Sequence, residues 1–345
     1  MKLYWLLPLL ALASCKTDPL RTCTRNYKND SIPLVTRIAF GSCADQEFDQ
    51  PILNTIVAQQ PDLFIYLGDN IYGDTYNMRE LESEYGQLAC KPEFQNLIHH
   101  TKVLATWDDH DYGHNDVGKE FPSKEESKQI FLRFWGEENN LARQSHPGIY
   151  TSYYYGDSAH RVQVILLDLR TFRDKLKTEN DYYVPNFDST AELLGAEQWT
   201  WLAHELEQPA KIRFIGSSSR FATEADGGEC WGNFPVELQR FFNLVQLKQA
   251  NGIVFLSGDI HFGELCKRQE PGLYPLYDFT ASPLARHANE PWYNMYQVAT
   301  SPVGYNFGVI EIDWQATDPV LHCKSFGEAG DLRFSYNFPL SEIHF

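Results

Sequence analysis

Short apolar runs that stop at polar turns are the strongest pattern along the chain. Leu63–Leu67 is apolar and β-rich throughout, which predicts a strand buried on both faces, and Gly68 then lets the backbone turn into Asp69. Five more runs end in the same way: residues 37–40, 103–106, 162–167, 212–215 and 253–256. Because an α/β fold gathers the ends of such strands at one crevice, we expect these turns to form one site.

Apolar residues at helical spacing occupy several of the segments between these runs. Predicted helices span residues 48–59, 76–100, 195–208 and 235–249, and Ser123 with Glu126 predicts a capping box at the start of another helix. Residues 176–193 are polar, aromatic and irregular, which predicts a rim loop. Segments 149–155, 277–280, 307–313 and 320–325 are strand-like, and no helix is predicted after Asp331. The pattern predicts an α/β domain with no evident second domain.

The first residues have the features of an export signal. Residues 1–14 hold one lysine and then an apolar run that is too short to span a bilayer, which predicts a signal peptide. Leu12-Ala13-Ser14-Cys15 resembles the lipobox of bacterial lipoproteins, in which the cysteine becomes the lipidated first residue; an ordinary secretory signal cleaved nearby is the alternative. We expect export to the periplasmic or extracellular side. A lipid on Cys15 would tether residues 34–345, the predicted domain, to the cell or outer membrane through a linker at residues 15–33.

Charge and cysteine content narrow the possible partners. The formal net charge of -17 argues against a nucleic-acid partner, which would need a basic face, and acidic residues in motifs suit cation binding. The chain has seven cysteines, and export permits disulfides. Apart from Cys15 and Cys43, five remain, so at most two bridges form and their pairing stays open. These five are Cys23, Cys90, Cys230, Cys266 and Cys323.

The polar turns carry side chains that bind metals. They offer thiol, carboxylate, phenol and imidazole groups at Cys43, Asp69, Tyr72, Asp109, Asp259 and His261. Each one alone has an ordinary explanation as a turn former, a helix cap or a core residue. Together, several carboxylates buried in one pocket would repel each other, so cations are their natural partners. We expect at least two cations, with Asp69 bridging them at a separation of roughly 4 Å.

Six motifs along residues 34–335 carry a family resemblance. They are Phe40-Gly41-Ser42-Cys43, Gly68-Asp69-Asn70-Ile71-Tyr72, Trp107-Asp108-Asp109-His110-Asp111, Leu167-Asp168-Leu169-Arg170, Phe255-Leu256-Ser257-Gly258-Asp259-Ile260-His261 and Asn306-Phe307-Gly308-Val309-Ile310-Glu311. In this order they resemble the metallophosphatases typified by the bacterial alkaline phosphatase D family, with a distant similarity to purple acid phosphatases and calcineurin-type phosphoesterases. The resemblance implies a four-layer α/β/β/α metallophosphatase sandwich and a metal-dependent phosphoric ester hydrolase.

The resemblance also implies two different metal ions. A ferric ion, Fe³⁺, would be held by Cys43, Asp69, Tyr72 and His261. A calcium ion, Ca²⁺, or another divalent ion would be held by Asp69, Asp109, Asp259 and Asn115. Physical chemistry supports this division, because a phenol with a pKa of about 10 needs a strong Lewis acid to ionise, whereas carboxylates and amides suit a hard divalent ion. Asn115 lies one position further along than in the family pattern, and His114 competes for its role.

Three further residues are candidates for the reaction itself. Related phosphoesterases suggest His110 for protonating the leaving oxygen, and its alternative role is to orient Asp109. Arg170 and Arg220 each follow a strand end, where they would clamp a phosphate or form structural ion pairs. The expected partner is a small phosphate ester cleaved by metal-activated water. The alternatives are a phosphodiesterase or phospholipase D-like enzyme, and a non-enzymatic, metal-stabilised surface binding lipoprotein.

Overall fold

The structure is a computed structural model that describes residues 23–345. The predicted signal peptide and Cys15 lie outside the described residues. Within the described part of the chain, no helix has the length and apolar character that crossing a membrane requires.

Fifteen strands and eight α-helices make up the described region. The strands are β1 (Arg37–Gly41), β2 (Leu63–Leu67), β3 (Lys102–Thr106), β4 (Thr151–Tyr155), β5 (Val162–Leu166), β6 (Lys177–Glu179), β7 (Tyr182–Val184), β8 (Ile212–Gly216), β9 (Ile253–Ser257), β10 (Glu264–Arg268), β11 (Leu276–Thr280), β12 (Gln297–Thr300), β13 (Asn306–Asp313), β14 (Val320–Gly327) and β15 (Leu332–Pro339). The helices are α1 (Ile52–Ala58), α2 (Met78–Ala89), α3 (Pro92–His100), α4 (Asp109–Tyr112), α5 (Lys124–Phe134), α6 (Leu141–Ser145), α7 (Gly195–Glu205) and α8 (Pro235–Lys248).

The strands form two large mixed sheets and one small hairpin. The first sheet has the order β15-β14-β13-β1-β2-β3, and the second has the order β12-β10-β11-β9-β8-β5-β4. β1, β2 and β3 are parallel, and so are β5, β8, β9 and β11. β6 and β7 form a separate two-stranded sheet. The parallel strands of each sheet therefore end along one edge.

Alternating side chains divide the interior into layers. In β2, Leu63, Ile65 and Leu67 join a core cluster that also holds residues of the second sheet, α7 and α8. Phe64 and Tyr66 point the other way, into a cluster with α1, α2, α3 and α5. This period of two buries both faces of the strand. The predicted four-layer α/β/β/α sandwich is confirmed.

Most of the predicted elements agree with the structure, and the exceptions have local causes. The helix predicted over residues 76–100 is two helices, because the chain breaks at Cys90 and restarts with a proline at the beginning of α3. Ser123 precedes α5, but its side chain makes no capping hydrogen bond, so the predicted capping box is wrong. The predicted rim loop contains the hairpin β6–β7. β10, β12 and β15 were not predicted. After Asp331 the chain forms β15 and a short 3₁₀ turn.

One disulfide joins the first described residue to the sandwich. Cys23 and Cys90 are bonded with a Cα–Cα distance of 5.3 Å, and Cys230, Cys266 and Cys323 are free and buried. Downstream of the bridge, the hydroxyl of Tyr27 donates to the Phe134 carbonyl at 2.6 Å. Contacts with the sandwich thus begin upstream of residue 34.

Candidate metal centre

Four of the predicted ligands lie in left-handed backbone directly after a strand. The φ angles are 59° at Cys43, 49° at Asp69, 73° at Asp259 and 61° at His261. Cys43 follows β1, Asp69 follows β2, and the other two follow β9. Left-handed backbone at a non-glycine residue costs on the order of 1–3 kcal/mol, and such residues cluster at functional sites. The edge where the strands end therefore carries both the strain and the predicted chemistry.

Gly68 brings the ends of β2 and β3 together. Its φ of 98° is left-handed, and a side chain there would lie 2.5 Å from Cβ of Asp108. Such a distance leaves no room for a side chain, so only glycine fits between the two turns. Asp69 consequently approaches the acidic turn that follows β3.

Thiol, phenol and imidazole groups converge on one side of Asp69, and we call Cys43, Tyr72 and His261 the thiol half. Sγ of Cys43 lies 3.4 Å from Oδ2 of Asp69, and the Tyr72 hydroxyl lies 3.3 Å from the same oxygen. The hydroxyl is also 3.1 Å from Nε2 of His261. The ligand atoms of Cys43, Asp69 and His261 all fall within 4.8 Å of one another.

Carboxylates surround the other side of Asp69, and we call Asp108, Asp109 and Asp259 the carboxylate half. Ligand atoms of Asp69, Asp108 and Asp259 lie within 4.8 Å of one another, as do those of Asp69, Asp109 and His110. Asp69 thus belongs to both of these groups and to the group in the thiol half. It is the residue through which two neighbouring cations would share one ligand.

The carboxyls of this cluster are electrostatically strained. Burial raises the pKa of Asp69 well above its usual range, and negative charge on the neighbouring Cys43 and Asp109 side chains would raise it further. Burial also raises the pKa of Asp259, with repulsion from Asp108 as the next cause. Burial and nearby negative charge both disfavour an ionised carboxyl, so neighbouring positive charge is needed to keep this cluster ionised at neutral pH.

Several buried carboxylate oxygens have no hydrogen-bond donor. They are Oδ1 of Asp69, Oδ2 of Asp108 and Oδ1 of Asp109. A buried acceptor without a partner is costly, whereas a cation would satisfy it. Carboxylate oxygens suit hard divalent ions, and thiolate, phenolate and imidazole suit a transition metal. The residues present therefore fit two cations that share Asp69.

The thiol half is supported from several elements. Sγ of Cys43 lies 3.3 Å from the Ser42 hydroxyl and 3.1 Å from that of Ser282, and the Ser282 backbone N–H donates to Oδ1 of Asn306 at 3.2 Å. Burial raises the pKa of the Cys43 thiol to about 11. Burial lowers the pKa of His261 to about 4, aided by the charge of Arg286, so its imidazole is neutral at pH 7 with a lone pair for a metal.

His110 joins the two halves. Its Nδ1 lies 2.7 Å from Oδ1 of Asp74, and its ring centroid is 4.2 Å from that of Tyr72. Burial lowers the pKa of His110, but the carboxylates of Asp69 and Asp74 outweigh burial and raise the pKa to about 10. A protonated imidazole that is partly exposed beside the cluster has the placement and the proton of a general acid.

Arg170 lies beneath the carboxylate half. It is fully buried, and its Nη1 lies 2.8 Å from Glu229. The guanidinium also pairs with Asp108 and lies 3.6 Å from Oδ1 of Asp109. These contacts place its charge among the carboxylates from the interior side.

Arg220 and Asn115 have other contacts. Arg220 is fully buried, and two of its guanidinium nitrogens bind Asp226 at 2.8 and 2.9 Å. The exposed Asn115 donates through Nδ2 to Asp116 at 2.7 Å. The competing ring of His114 stacks on Tyr76, with centroids 5.5 Å apart. Phosphate binding by Arg220 and metal binding by Asn115 stay predictions.

A family comparison identifies the origin of this arrangement. Residues 38–306 match the model of the PhoD-like phosphatases. The chain belongs to the PhoD-like phosphatase family. A curated relative, alkaline phosphatase D of Bacillus subtilis, is 25% identical over an alignment of 276 residues, and the match covers 67% of this chain and 46% of the relative. The chain thus spans about half the length of that curated relative.

Solved structures agree with this family at the level of fold. A structure of PhoD superposes with a TM-score of 0.71 at 18% identity and covers 93% of this chain and 72% of that one. GAP50 of Plasmodium, described as an anchor in the inner membrane complex, has a TM-score of 0.53 at 12% identity and covers 89% of each chain. A dimetal phosphatase from Danio rerio has a TM-score of 0.51 at 10% identity, covering 89% of this chain and 99% of that one.

Within this PhoD-like sandwich, the site also contains three side chains that the sequence did not single out. Asp108 lies in a predicted motif, but its neighbour Asp109 was chosen as the ligand. Asp74 ends the turn that begins at Asp69. It lies beside His110, which is 36 residues away, and no local sequence pattern predicts this contact. The guanidinium of Arg286 lies 4.1 Å from the ring centroid of Tyr72, and it comes from a loop that no motif marks.

Proposed function

We propose that this chain is an exported, metal-dependent phosphoric ester hydrolase. The observation that carries the proposal is the position of Asp69, whose carboxylate belongs to every group of potential ligands at the edge where the strands end. A shared carboxylate between two cation positions is the arrangement of two-metal hydrolases. Membership in the PhoD-like phosphatase family supports the same chemistry.

Two different ions are proposed for the two halves. Cys43, Tyr72 and His261 with Asp69 would hold a ferric ion, because a buried thiol and a buried phenol ionise only next to a strong Lewis acid. Asp69, Asp109 and Asp259, with Asn115, would hold calcium or another divalent ion. When bound, such ions supply Lewis acidity to the phosphoryl oxygens and to the attacking water.

The protein's own groups would handle the proton and the orientation of the ligands. His110, held by Asp74 at 2.7 Å, would donate a proton to the leaving oxygen. Arg170 is buried against Asp108 and Asp109, so it would fix the carboxylates and offset part of their charge. The ligand side chains stand on strand ends supported by both sheets, which keeps their geometry rigid.

Both monoesters and diesters are proposed as substrates. His110 and His261 are partly exposed at the strand ends, which favours an accessible site. A phosphodiesterase or phospholipase D-like preference would then depend on the loops that surround the metals.

Export and lipid anchoring are proposed from the sequence of the first residues. The Cys23–Cys90 disulfide supports an oxidising compartment, because such bonds are rare in the cytosol. Cys15 lies eight residues before this bridge. A lipid on Cys15 would place the sandwich at the membrane surface with its ligands unaffected.

Turnover before and after metal removal tests the proposed activity. The purified protein would be assayed with a panel of phosphate monoesters and diesters, then dialysed against a chelator and assayed again. We expect hydrolysis to disappear on dialysis and to return when iron and a divalent ion are added together. Full turnover by metal-free protein would rule out the proposed mechanism, and no turnover of any ester by metal-loaded protein would favour a surface binding protein.

A further inference from the structure

A wall of aromatic side chains stands beside the candidate metal centre. It consists of Tyr183 on β7 and of Phe262 and Trp292. Phe262 directly follows the predicted ligand His261, and its ring meets that of Trp292 at a centroid distance of 4.9 Å and an angle of 79°. Trp292 is thereby connected to the segment that carries a metal ligand.

Trp292 is held in place although much of it is exposed. Its side chain is 37% exposed, yet Nε1 donates to Oδ2 of Asp226 at 2.8 Å. The same carboxylate binds Arg220, whose guanidinium carbon lies 5.3 Å from the Trp292 ring centroid. An exposed indole with three fixed contacts is preorganised, so little conformational entropy is lost when a ligand binds to it.

The loop that carries Trp292 is fastened to the metal-binding turn. The backbone N–H of Asn289 donates to the His261 carbonyl at 2.8 Å, and Nδ2 of Asn289 donates to the Ile260 carbonyl at 3.1 Å. These bonds lie three residues before Trp292. They fix the position of the indole relative to His261.

The other end of the wall is linked to the carboxylate half through Asp116. The Tyr183 backbone N–H donates to the Gly227 carbonyl at 3.1 Å, which places the hairpin against the segment of Asp226. The hydroxyl of Tyr183 donates to Asp116, and the Asp116 backbone N–H donates to Oδ2 of Asp109 at 2.7 Å. The wall thus runs along the centre from His261 to Asp109.

The charges around Trp292 are already paired. Arg220 binds Asp226 through two nitrogens, and its third acidic contact is Glu264 at 3.7 Å. A second phosphate group would gain little from a guanidinium that a carboxylate already occupies, whereas the indole offers a flat apolar surface. The local chemistry favours an aromatic group over an anion.

We propose that Trp292 forms a subsite for a planar aromatic ring in the organic part of the phosphate ester, and that Arg220 positions the indole. The proposal rests on the proposed function, since the ester must reach the neighbouring metals. The ring belongs either to an aryl or benzyl ester or to the base of a nucleotide. Both present the same flat π surface, which stacks on an indole.

Matched substrate pairs test the subsite. Benzyl and ethyl phosphate share a primary alcohol as leaving group and differ in the ring, and adenosine 5′-phosphate and ribose 5-phosphate differ in the base. Where only diesters are turned over, the methyl diesters replace the benzyl and ethyl monoesters. We expect Trp292→Ala to lower the kcat/KM ratio of the ring-bearing to the ring-free substrate about tenfold, mainly through KM. The pair that responds identifies the source of the ring.

Two variants control for loss of structure. Trp292→Phe keeps an aromatic ring and should retain most of the preference. Phe345→Ala removes an exposed aromatic at the opposite edge, where its backbone N–H donates to Oδ1 of Asn251 at 2.7 Å just before β9, and should leave the ratio unchanged. Equal ratios in wild type and Trp292→Ala for both pairs would overturn the subsite while leaving the hydrolase in place.

A binding measurement separates the subsite from the activity. Benzylphosphonate and ethylphosphonate are not hydrolysed, and their dissociation constants would be measured by calorimetry on the metal-loaded protein. A benzyl preference that Trp292→Ala removes would support the subsite even where no ester is turned over, a result that would count against the proposed function alone. Equal affinities for the two phosphonates in the wild type would contradict the subsite.

Discussion

The two halves of the candidate centre differ in what they need from a metal. The thiol half consists of groups that are neutral in the protein alone, since burial raises the pKa of Cys43 to about 11 and lowers that of His261 to about 4. The carboxylate half has an excess of acidic groups, with oxygens of Asp108 and Asp109 that lack donors. One half needs a Lewis acid strong enough to remove protons, and the other needs positive charge for oxygen ligands.

This contrast explains how the edge where the strands end would bind two different ions at neighbouring positions. A hard divalent ion binds a protonated thiol weakly, and it binds carboxylate oxygens well. A ferric ion binds phenolate and thiolate strongly enough to repay their deprotonation. Asp69 would serve both ions, because it belongs to the groups of potential ligands in both halves.

Replacing the shared carboxylate should have the largest effect. Asp69→Asn keeps the shape of the side chain and removes the charge common to both halves, so we expect loss of both metals and a fall in turnover of at least about 10³-fold. Metal analysis and ester hydrolysis measure the two effects, and circular dichroism checks the fold. A variant that keeps both metals and near-normal turnover would mean that Asp69 does not bridge.

Replacing the phenol should break only the thiol half. Tyr72→Phe is expected to lose iron and the visible charge-transfer band of the ferric site, to keep the divalent ion, and to lower turnover about 10²-fold. Cys43→Ala should behave alike. Absorption spectra and metal content of the variants provide the measurement.

Matched residues nearby control for packing. Tyr66→Phe, in β2, removes a buried hydroxyl that has no hydrogen-bond partner. Cys323→Ala removes a buried free thiol in β14. Both controls should retain iron and colour. Unchanged spectra in Tyr72→Phe and Cys43→Ala would instead make these two residues ordinary packing groups.

Replacing a carboxylate of the other half should give the opposite pattern. Asp259→Asn is expected to release the divalent ion and to lower turnover by roughly 10²-fold, while the visible band remains. Titration of the variant with calcium should require a higher concentration than the wild type. Loss of colour together with the divalent ion would show that the two halves are not separable.

The histidine between the halves should affect the rate more than the metals. His110→Gln is expected to lower kcat about 10²-fold with both metals retained.

Replacing the partner of His110 should have a smaller effect. Asp74→Asn should lower kcat about tenfold, because the imidazole of His110 is then less well held. The pKa of His110 is raised to about 10, so the imidazole is protonated at neutral pH and loses its proton as the pH rises through that value. Removing Asp74 lowers this pKa, so the alkaline limb of the pH–rate profile should move to lower pH.

The smallest catalytic effect is expected from replacing Cys15, the predicted site of the lipid. Cys15→Ser should release the protein from the membrane fraction with turnover per molecule unchanged within about twofold, because a lipid affects only location. Fractionation of cells that express the full chain gives the answer. A variant that stays in the membrane fraction would show that Cys15 is not the anchor.

The sequence predicted the parts of the fold that depend on short-range pattern. All six motif strands were located to within about one residue, because apolar runs that end in glycine or aspartate report burial and turning together. β10 and β12 were not predicted because loops surround these short strands. The pattern over residues 76–100 predicted one helix, whereas the structure has two that are separated at Cys90. The motifs also supplied most of the side chains that converge at the strand ends. Arg286 and Asp74 were missed because tertiary contacts alone bring them to Tyr72 and His110.

The metal content of the purified wild-type protein, read together with its visible spectrum, decides whether two different ions share Asp69. We expect about one iron and at least one divalent ion per chain, with an absorption band from thiolate and phenolate on ferric iron. Protein that is colourless, free of iron and fully active on phosphate esters would rule out the two-ion centre.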